Sequence, residues 1–497
     1  MTRAWDAEQL LAPWLVDARL AGLPVTGLTL DSRQVRPGAL FLALAGGRQH
    51  GLDFLDEALA AGARVVLWEP DDRYAAVDIA GRCAAGDALA LPRPGLTALV
   101  SAIAARFHAE PSRDLRIIAV TGTDGKTSVT HYIAQLLAAI EGDAAVIGTL
   151  GWGRPGALQS SRHTTPDAVT LQARLAALRD AGVRSVAMEV SSHALVQHRV
   201  DGVAFDTAVL THVGRDHLDY HAGIESYRAA KRRLFAWPGL RHQVLNLDDA
   251  VGRDLAARPL PAATTRSYAR RRPADFRLTR VAPTPAGLDV GIRHAHRRHD
   301  LELPLMGGFN ALNALAALAA VADDQSLAPA LEAASRLHPV PGRMERFLAD
   351  GGPLAVVDYA HTPGALEAAL EALRGHVRGH LWCVFGCGGE RDPGKRPLMG
   401  AVAGRLAEHV VLTSDNPRSE DPDAIIAAIR EGCPAALDCR VISDRDAAIA
   451  FALAEAGPAD GVLVAGKGHE REQIIGTRAQ PFSDRDRVRA WLQRRAG

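Results

Sequence analysis

The sequence predicts an α/β protein of three domains. A small α/β domain precedes a central domain with a mainly parallel sheet and a C-terminal, Rossmann-like doubly wound domain. The length of 497 residues is what about three ordinary domains require. A strand, a glycine-rich turn and a helix follow one another near residue 120, and strands alternate with helices after residue 339. Such alternation is typical of parallel sheets covered by helices. We expect domains at residues 1–95, 96–338 and 339–497.

Composition argues against several classes of protein. Lys+Arg and Asp+Glu are both 57, so the formal net charge is zero and we expect neither nucleic acid nor a membrane as a partner. The first eight residues lack the basic and apolar regions of a signal peptide, and the most apolar helix, 311–322, is too short to cross a bilayer. Five scattered cysteines suggest reduced thiols. We expect a cytoplasmic monomer.

The first 95 residues alternate short apolar strands with polar turns. Strands are predicted near residues 28–33, 38–44 and 63–68, with a helix at 53–62 and a linker at 91–95. The first strand ends in Leu30-Asp31-Ser32-Arg33, and the second leads into Gly46-Gly47-Arg48-Gln49. Taken alone, such a polar strand end is more often an exposed turn than a binding site.

The most informative stretch is Val120-Thr121-Gly122-Thr123-Asp124-Gly125-Lys126-Thr127-Ser128, between a predicted strand at 117–120 and a predicted helix at 127–140. Glycines let the backbone approach a phosphate, and the amides that open the helix point toward the anion. Lys126 would reach the outer phosphates, and the Thr127 hydroxyl would bind Mg²⁺. Val120 stands where the common phosphate-loop pattern has glycine. The alternative is a glycine turn with an incidental lysine, which the position at a strand–helix junction disfavours.

Further polar residues follow the later strands of the central domain. Glu189 ends a predicted strand at 185–190, and His217 follows a strand at 208–211. Carboxyl ends of parallel strands meet at one sheet edge, where metal and phosphate chemistry is done. Lys231 lies on a predicted helix at 227–235, and Asn310 with Asn313 share one face of a helix that begins near residue 307. Without the neighbouring motifs, His217 would be interpreted as part of a solvated loop and Lys231 as an exposed lysine on a helix.

The C-terminal third predicts a doubly wound parallel sheet. Strands are expected at 354–357, 381–385, 410–412 and 462–465, with helices at 363–373, up to about 406 and at 422–429. The polar loops at the strand ends are Asp358-Tyr359-Ala360-His361, Gly386-Cys387-Gly388-Gly389-Glu390-Arg391, Asp415-Asn416-Pro417-Arg418 and Gly466-Lys467-Gly468-His469-Glu470. The glycines of the second loop lack the spacing of a dinucleotide fingerprint.

These motifs, in this order over nearly the whole chain, resemble those of the Mur ligases of peptidoglycan synthesis. The resemblance also includes Met188-Glu189-Val190-Ser191-Ser192-His193, Arg215-Asp216-His217-Leu218-Asp219-Tyr220-His221, Ala229-Ala230-Lys231 and Gly342-Arg343-Met344-Glu345. It implies a central P-loop ATPase domain and ligation that depends on ATP and Mg²⁺. Asp-Asn-Pro-Arg at 415–418 indicates the branch of the family that adds meso-diaminopimelate to the D-glutamate of a UDP-sugar dipeptide. The family forms an acyl phosphate, which the amine then attacks.

The resemblance also implies roles for individual residues. It gives Lys126, Glu189, His217 and Lys231 catalytic roles, with Thr127, Glu189, His217 and a carbamylated Lys231 as Mg²⁺ ligands. The implied ATP contacts are Gly122, Thr123, Asp124, Gly125, Lys126, Thr127, Ser128, Asn246, Asn310, Arg343 and Asp358. The UDP-sugar dipeptide would contact Leu30, Ser32, Gly47, Arg48, Gln49, Thr164, Thr165, Ser191, Gln197 and Arg199. Diaminopimelate would contact Arg391, Asp415, Asn416, Pro417, Arg418, Gly466 and Glu470. Asp124, His163 and His212 depart from the family, which often has Asn there.

Two other functions remain open at this point. A folylpolyglutamate synthase shares the ATPase core and the acyl-phosphate chemistry, but it lacks the N-terminal uridine-nucleotide domain that some 95 residues could form here. A non-catalytic nucleotide-binding switch would need the phosphate loop alone. The combination of Glu189, His217 and Lys231 disfavours a switch, because a switch has no need of a second metal site.

Overall fold

The structure is a computed structural model that describes residues 4–47, 49–216, 220–260, 262–323 and 326–496. The chain forms two compact units, Met1–Ser267 and Tyr268–Gly497. In the described ranges no helix is both long and apolar enough to cross a membrane.

The first unit begins with a four-stranded parallel sheet. Its strands, in spatial order, are Gly27–Thr29, Ala39–Ala43, Ala63–Trp68 and Leu89–Pro92. Apolar side chains from both faces pack under the helices Ala7–Leu11, Leu55–Ala60, Ile79–Ala85 and Leu96–Phe107. A two-stranded antiparallel pair, Trp5–Asp6 with Pro24–Val25, lies before it. The predicted linker at 91–95 is wrong in its first two residues, because Leu91 and Pro92 pair with Leu67 and Trp68 at the sheet edge.

The second sheet of this unit contains the phosphate-loop strand. The strands His242–Asn246, Thr207–Leu210, Arg116–Thr121, Ser185–Glu189 and Ala145–Gly148 lie side by side and parallel, and Gly151–Gly153 adds an antiparallel edge. Helices connect them at Lys126–Glu141, Ala168–Asp180, Ser192–Val196, Ile224–Arg232 and Ala250–Ala256. The predicted mainly parallel sheet is confirmed. Its carboxyl ends therefore gather the loops after Thr121, Glu189 and Leu210 at one edge.

The second unit combines an antiparallel sheet with a parallel one. The strand Thr264–Ala269 leads into it, and Phe276–Thr284, Gly287–His294 and Arg297–Leu303 then pair antiparallel. The helices Gly308–Val321 and Leu327–Ala334 follow. These antiparallel strands were absent from the sequence prediction.

The parallel sheet of this unit has the order Glu345–Phe347, Leu354–Asp358, Gly461–Ala465, Leu381–Phe385, His409–Leu412, Asp438–Val441, with only the first strand antiparallel. Helices lie on both faces, at Pro363–Arg374, Lys395–Leu406, Pro422–Arg430, Arg445–Glu455 and Asp484–Ala496. The strands Glu472–Ile475 and Arg478–Pro481 form a two-stranded antiparallel ribbon that is not part of this sheet. The predicted doubly wound sheet is confirmed.

Candidate functional site

The phosphate loop has the geometry that the sequence predicts. Gly122 has φ +154° and Gly125 has φ +83°, which side chains rarely adopt, and the helix Lys126–Glu141 begins at the next residue. Its first amides therefore lie at the end of the strand Arg116–Thr121. Lys126 folds over the loop and donates from Nζ to the carbonyls of Gly122 (2.9 Å) and Thr123 (2.8 Å).

Glu189 is the centre of a buried polar cluster at the end of its strand. Its Oε2 accepts from the Thr127 hydroxyl at 3.0 Å, and its Oε1 accepts from the Thr149 amide at 2.7 Å. The side chain is 1 % exposed, and its described hydrogen bonds come only from neutral donors. A side chain at Gly148 would clash with the carboxylate. Thr149 was not predicted, since nothing in the sequence distinguishes it from other strand-end threonines.

Lys231 lies beside the same loop. Its Nζ donates to the Gly122 carbonyl at 2.6 Å and lies 4.4 Å from the centre of the Tyr227 ring. Burial, together with the neighbouring Lys126 ammonium, lowers the pKa of Lys231 well below its usual value. Tyr227 in turn shares a hydrogen bond of 2.8 Å with the Thr123 hydroxyl. His217, the other residue that the sequence assigns to this metal site, lies outside the described residues.

A polar group extends from Glu189 to the predicted sugar-peptide residues. Thr165 donates to the Glu189 carbonyl at 2.8 Å and accepts from the Ser191 amide at 3.1 Å. Arg199 donates to the Thr165 carbonyl at 2.9 Å and from Nε to Gln197 at 2.9 Å. Thr164 reaches the cluster through the Thr149 hydroxyl at 3.0 Å. The structure therefore brings together all five predicted residues, Thr164, Thr165, Ser191, Gln197 and Arg199.

The predicted residues of the N-terminal segment are less closely grouped. Ser32 is buried and donates to Glu57 at 2.7 Å, while Leu30 packs half-buried against the apolar core. Gly47 and Gln49 are exposed, and Arg48 lies outside the described residues.

The remaining side of the loop is braced by an acid–histidine pair. His212 Nδ1 lies 3.1 Å from Asp249 Oδ2, and the Thr211 hydroxyl donates to the Asp124 carbonyl at 2.6 Å. The hydrogen bond to Asp249 raises the pKa of His212 above its usual value. Asn246 is buried and orders the following turn by accepting from the Asp248 amide at 3.0 Å.

Three predicted ATP contacts lie in the second unit. Asn310 is buried in the first turn of its helix, donates to the Met306 carbonyl and accepts from Asn313 at 3.0 Å. Asp358 accepts from the amides of Met344 (2.7 Å) and Ala360 (2.8 Å), and burial raises its pKa. Arg343 stacks over Tyr359, 4.5 Å from the ring centre.

The Asp-Asn-Pro-Arg quartet forms a connected network. Asn416 donates to Glu470 at 2.9 Å, and Asp415 lies against Gly466, whose φ of +110° requires glycine. Arg418 itself has φ +53°, a strained conformation for a long side chain, and it donates to the Gly389 carbonyl at 2.7 Å. A Cβ at Gly388 would lie 3.1 Å from Arg418 and 3.7 Å from Arg391, so both arginines flank this glycine.

Lys467 is the residue that sequence reasoning left out of this network. Its fully buried ammonium donates to Asn416 Oδ1 (2.9 Å), Glu470 Oε2 (2.8 Å) and the Glu472 carbonyl (2.7 Å). It therefore fixes two predicted diaminopimelate residues relative to each other. The sequence feature that could have identified Lys467 is its position within Gly-Lys-Gly at the end of an apolar strand.

Three comparisons place these features among known proteins. Family models described as Mur ligase family, catalytic domain; Mur ligase middle domain; and Mur ligase, glutamate ligase domain match residues 24–108, 120–321 and 342–468. UDP-N-acetylmuramoyl-L-alanyl-D-glutamate–2,6-diaminopimelate ligases from Alkalilimnicola ehrlichii and Pseudomonas aeruginosa are 51 % and 49 % identical, covering 96 % and 93 % of this chain and 97 % and 94 % of theirs. A solved structure of a ligase with that name superposes with a TM-score of 0.72 at 35 % identity, covering both chains fully.

Proposed function

The chain belongs to the Mur ligase family, and from that premise we propose the reaction that its sites carry out. It is an ATP-dependent ligase that adds 2,6-diaminopimelate to UDP-N-acetylmuramoyl-L-alanyl-D-glutamate in peptidoglycan synthesis. The arrangement around the phosphate loop, in which Thr127 meets the buried Glu189 carboxylate at 3.0 Å, is the observation that supports the assigned chemistry best. We assign the family's three domains to residues 1–95, 96–338 and 339–497. We further propose that the enzyme acts as a monomer in the cytoplasm.

The first step that we propose is phosphoryl transfer. The D-glutamate carboxylate attacks the γ-phosphorus of ATP, which releases ADP and forms an acyl phosphate. Lys126 stabilises the charge that develops on the transferred group, and the amides at the start of its helix bind the phosphates. Asp124, Ser128, Asn246, Asn310, Arg343 and Asp358 are proposed as the further ATP contacts. The second step is attack of the diaminopimelate amine on the acyl carbon, which expels phosphate.

The residues around Glu189 suit a divalent cation. A carboxylate that is 1 % exposed and has only neutral hydrogen-bond donors is costly to bury alone, and with the Thr127 hydroxyl it offers the oxygen ligands that Mg²⁺ prefers. Bound Mg²⁺ would neutralise phosphate charge. The second pair of ligands that we propose is His217 with Lys231.

Lys231 can serve a cation only after modification. An ammonium repels Mg²⁺, whereas a carbamate offers oxygen ligands. Carbamate formation needs the neutral amine, and the lowered pKa of buried Lys231 favours that form. We therefore propose that Lys231 is carbamylated in the active enzyme.

The substrate assignments follow the two polar networks. We propose that Thr164, Thr165, Ser191, Gln197 and Arg199 hold the sugar-peptide, and that Leu30, Ser32, Gly47, Arg48 and Gln49 hold the uridine nucleotide. In the second unit, the network of Asp415, Asn416, Pro417, Arg418, Gly466 and Glu470, with Arg391, is proposed to hold diaminopimelate. The supporting feature there is the left-handed Arg418, because strained residues gather at ligand sites.

One assay tests the function. The purified protein should release phosphate from ATP only when both diaminopimelate and the UDP-sugar dipeptide are present. Release with a folate and glutamate would indicate a folylpolyglutamate synthase. Nucleotide binding without release under any condition would indicate a switch.

A further inference from the structure

The antiparallel sheet of the second unit has a strongly basic stretch. Residues 268–300 contain eight arginines and three aspartates, although the formal net charge of the whole chain is zero. This excess is therefore a local feature, and neither step of the ligation reaction uses it.

Three of these arginines lie in one row across the sheet. Arg277 is directly opposite Arg293, and Arg293 is directly opposite Arg298 on the third strand. Like charges in directly opposite positions destabilise a sheet unless something compensates them. Asp300 compensates Arg298 at 3.0 Å, but within the described ranges Arg277 and Arg293 have no carboxylate partner. The sheet thus retains an uncompensated pair of guanidinium groups.

A cavity of about 370 Å³ lies at this pair. It forms where a bulge between Leu278 and Arg280 interrupts the pairing of the first two strands. Arg270, Arg277, Arg280 and Arg293 all line it. The Nε of Arg277 is buried and, in the part of the chain that the structure describes, has no hydrogen-bond partner. A buried donor without an acceptor is costly, so this atom would gain from an anion bound in the cavity.

Among the arginines that line the cavity, Arg280 is partly neutralised by carboxylates. It lies 3.9 Å from Asp289 and 3.6 Å from Asp300, distances that leave its donors available for a closer acceptor. The cavity therefore presents several guanidinium groups toward one small volume. Guanidinium groups bind phosphate oxygens through paired, charge-assisted hydrogen bonds.

We propose that this cavity is a binding site for a small ligand with two or more linked phosphates, either free polyphosphate or the phosphate end of a nucleotide. Four lining arginines carry more positive charge than a single phosphate can neutralise, whereas linked phosphates can pair with Arg277, Arg293 and a third arginine together. No residue that lines the cavity is among the proposed ATP contacts.

A proposed ATP contact lies close to the cavity. A Cβ placed on Gly308 would lie 3.5 Å from Arg270 Nη1, and Asn310, a proposed ATP contact, is in the same helical turn. Binding must therefore be measured with the phosphate loop disabled by Lys126→Ala, because an ATP analogue itself carries linked phosphates and would also fill the proposed site.

The experiment is calorimetric titration of the full-length Lys126→Ala variant with inorganic tripolyphosphate and, separately, with guanosine diphosphate. We expect one binding event, weakened at least about tenfold in Arg277→Gln/Arg293→Gln, since charge-assisted hydrogen bonds are the strong ones. In the otherwise wild-type chain, Arg277→Gln/Arg293→Gln should leave the ligation activity unchanged. Tighter binding of tripolyphosphate would identify free polyphosphate as the ligand class, and tighter binding of guanosine diphosphate would identify a nucleotide.

The matched control is Arg298→Gln, which removes the same charge from the same row but leaves the cavity lining intact. If this variant weakens binding as much as the double variant, only general electrostatic attraction is present and the proposal fails. It also fails if Lys126→Ala abolishes binding, or if Arg277 and Arg293 can be replaced without effect. Should the double variant not fold, the exposed Arg293→Gln alone supplies the same comparison.

Discussion

Arg445 and Asp484 form an ion pair whose two side chains have no contact with solvent. The pair is joined by two hydrogen bonds, Nε to Oδ1 at 2.7 Å and Nη2 to Oδ2 at 2.8 Å. The guanidinium also donates to the carbonyls of Ser414 (3.1 Å) and Ala465 (2.8 Å). Those carbonyls directly precede Asp415 and Gly466, so the pair anchors both loops of the proposed diaminopimelate site.

Loss of one partner should therefore destabilise the protein and the site together. We expect Asp484→Ala to lower the free energy of unfolding by about 3–5 kcal/mol, because it leaves a buried charge uncompensated. The KM for diaminopimelate should rise in the same variant. Urea unfolding and steady-state kinetics measure the two effects. The control is Asp486→Ala, which breaks an exposed pair with Arg489 and should cost less than about 1 kcal/mol. Equal losses in the two variants would contradict this account.

Lys126→Ala should abolish acyl-phosphate formation and leave the fold intact, because its hydrogen bonds to the carbonyls of Gly122 and Thr123 lie within the loop itself. Removal of one charge-stabilising group typically costs about 10²–10³ in rate. Single-turnover ADP release measures the step, and thermal unfolding checks the fold. Ligation at the wild-type rate would mean that this loop is not the phosphate site.

Lys231→Ala should lose activity by at least about 10², comparable to the removal of one electrostatic contact to the reacting group. A small carboxylic acid should partly restore the rate, since it can supply the missing oxygen ligand. Mass spectrometry under conditions that preserve carbamates should show the wild type heavier by one carbon dioxide. An unmodified amine in the active enzyme, with no rescue of the variant, would refute the assignment.

His212 gives a stability contribution that depends on pH. Because the bond to Asp249 raises the pKa of His212 in the folded state, the contribution is complete below the ordinary histidine pKa of about 6.5 and is lost as pH rises through the raised value. The imidazole is 59 % exposed, so we expect the effect to stay below about 1 kcal/mol. Unfolding of wild type and His212→Asn should differ at about pH 6 and converge toward higher pH. A constant difference would show that the pair does not titrate.

The elements around the loops were predictable, because their signals are local. The phosphate loop needs two glycines and a lysine at a strand–helix junction, and the apolar runs that end at Glu189 and Ala465 have the length of buried parallel strands. The antiparallel strands at 276–303 were missed because a bulge between Leu278 and Arg280 breaks the alternation of the first strand, and the strand Arg297–Leu303 has apolar side chains at only two of its seven positions.

The contacts that complete the sites were not predictable, since they join residues far apart in sequence. Thr149 binds Glu189 across 40 positions, and Arg445 binds Asp484 across 39. The left-handed backbone of Arg418 depends on its bonding to the ribbon strand at Ile474, which no local pattern encodes.

The preference for diaminopimelate over lysine tests the proposed role of Asp415-Asn416-Pro417-Arg418 most directly. Diaminopimelate and lysine differ by one distal carboxylate, and Arg418 can bind that group with two parallel hydrogen bonds. Pro417 restricts the backbone before it, and the amide of the left-handed Arg418 donates to the Ile474 carbonyl of the ribbon. Lysine would leave the guanidinium without its anionic partner. Sites that hydrogen-bond a missing group reject the analogue by roughly 10⁴–10⁵.

We therefore expect the wild type to prefer meso-diaminopimelate over L-lysine by at least about 10³ in kcat/KM. Arg418→Ala should lose most of this preference by losing activity with diaminopimelate. Arg430→Ala, an exposed arginine at the end of a nearby helix, should keep it. The measurement is kcat/KM for both amino acids with the wild type, Arg418→Ala and Arg430→Ala. Equal use of lysine by the wild type would show that Arg418 does not read the distal carboxylate.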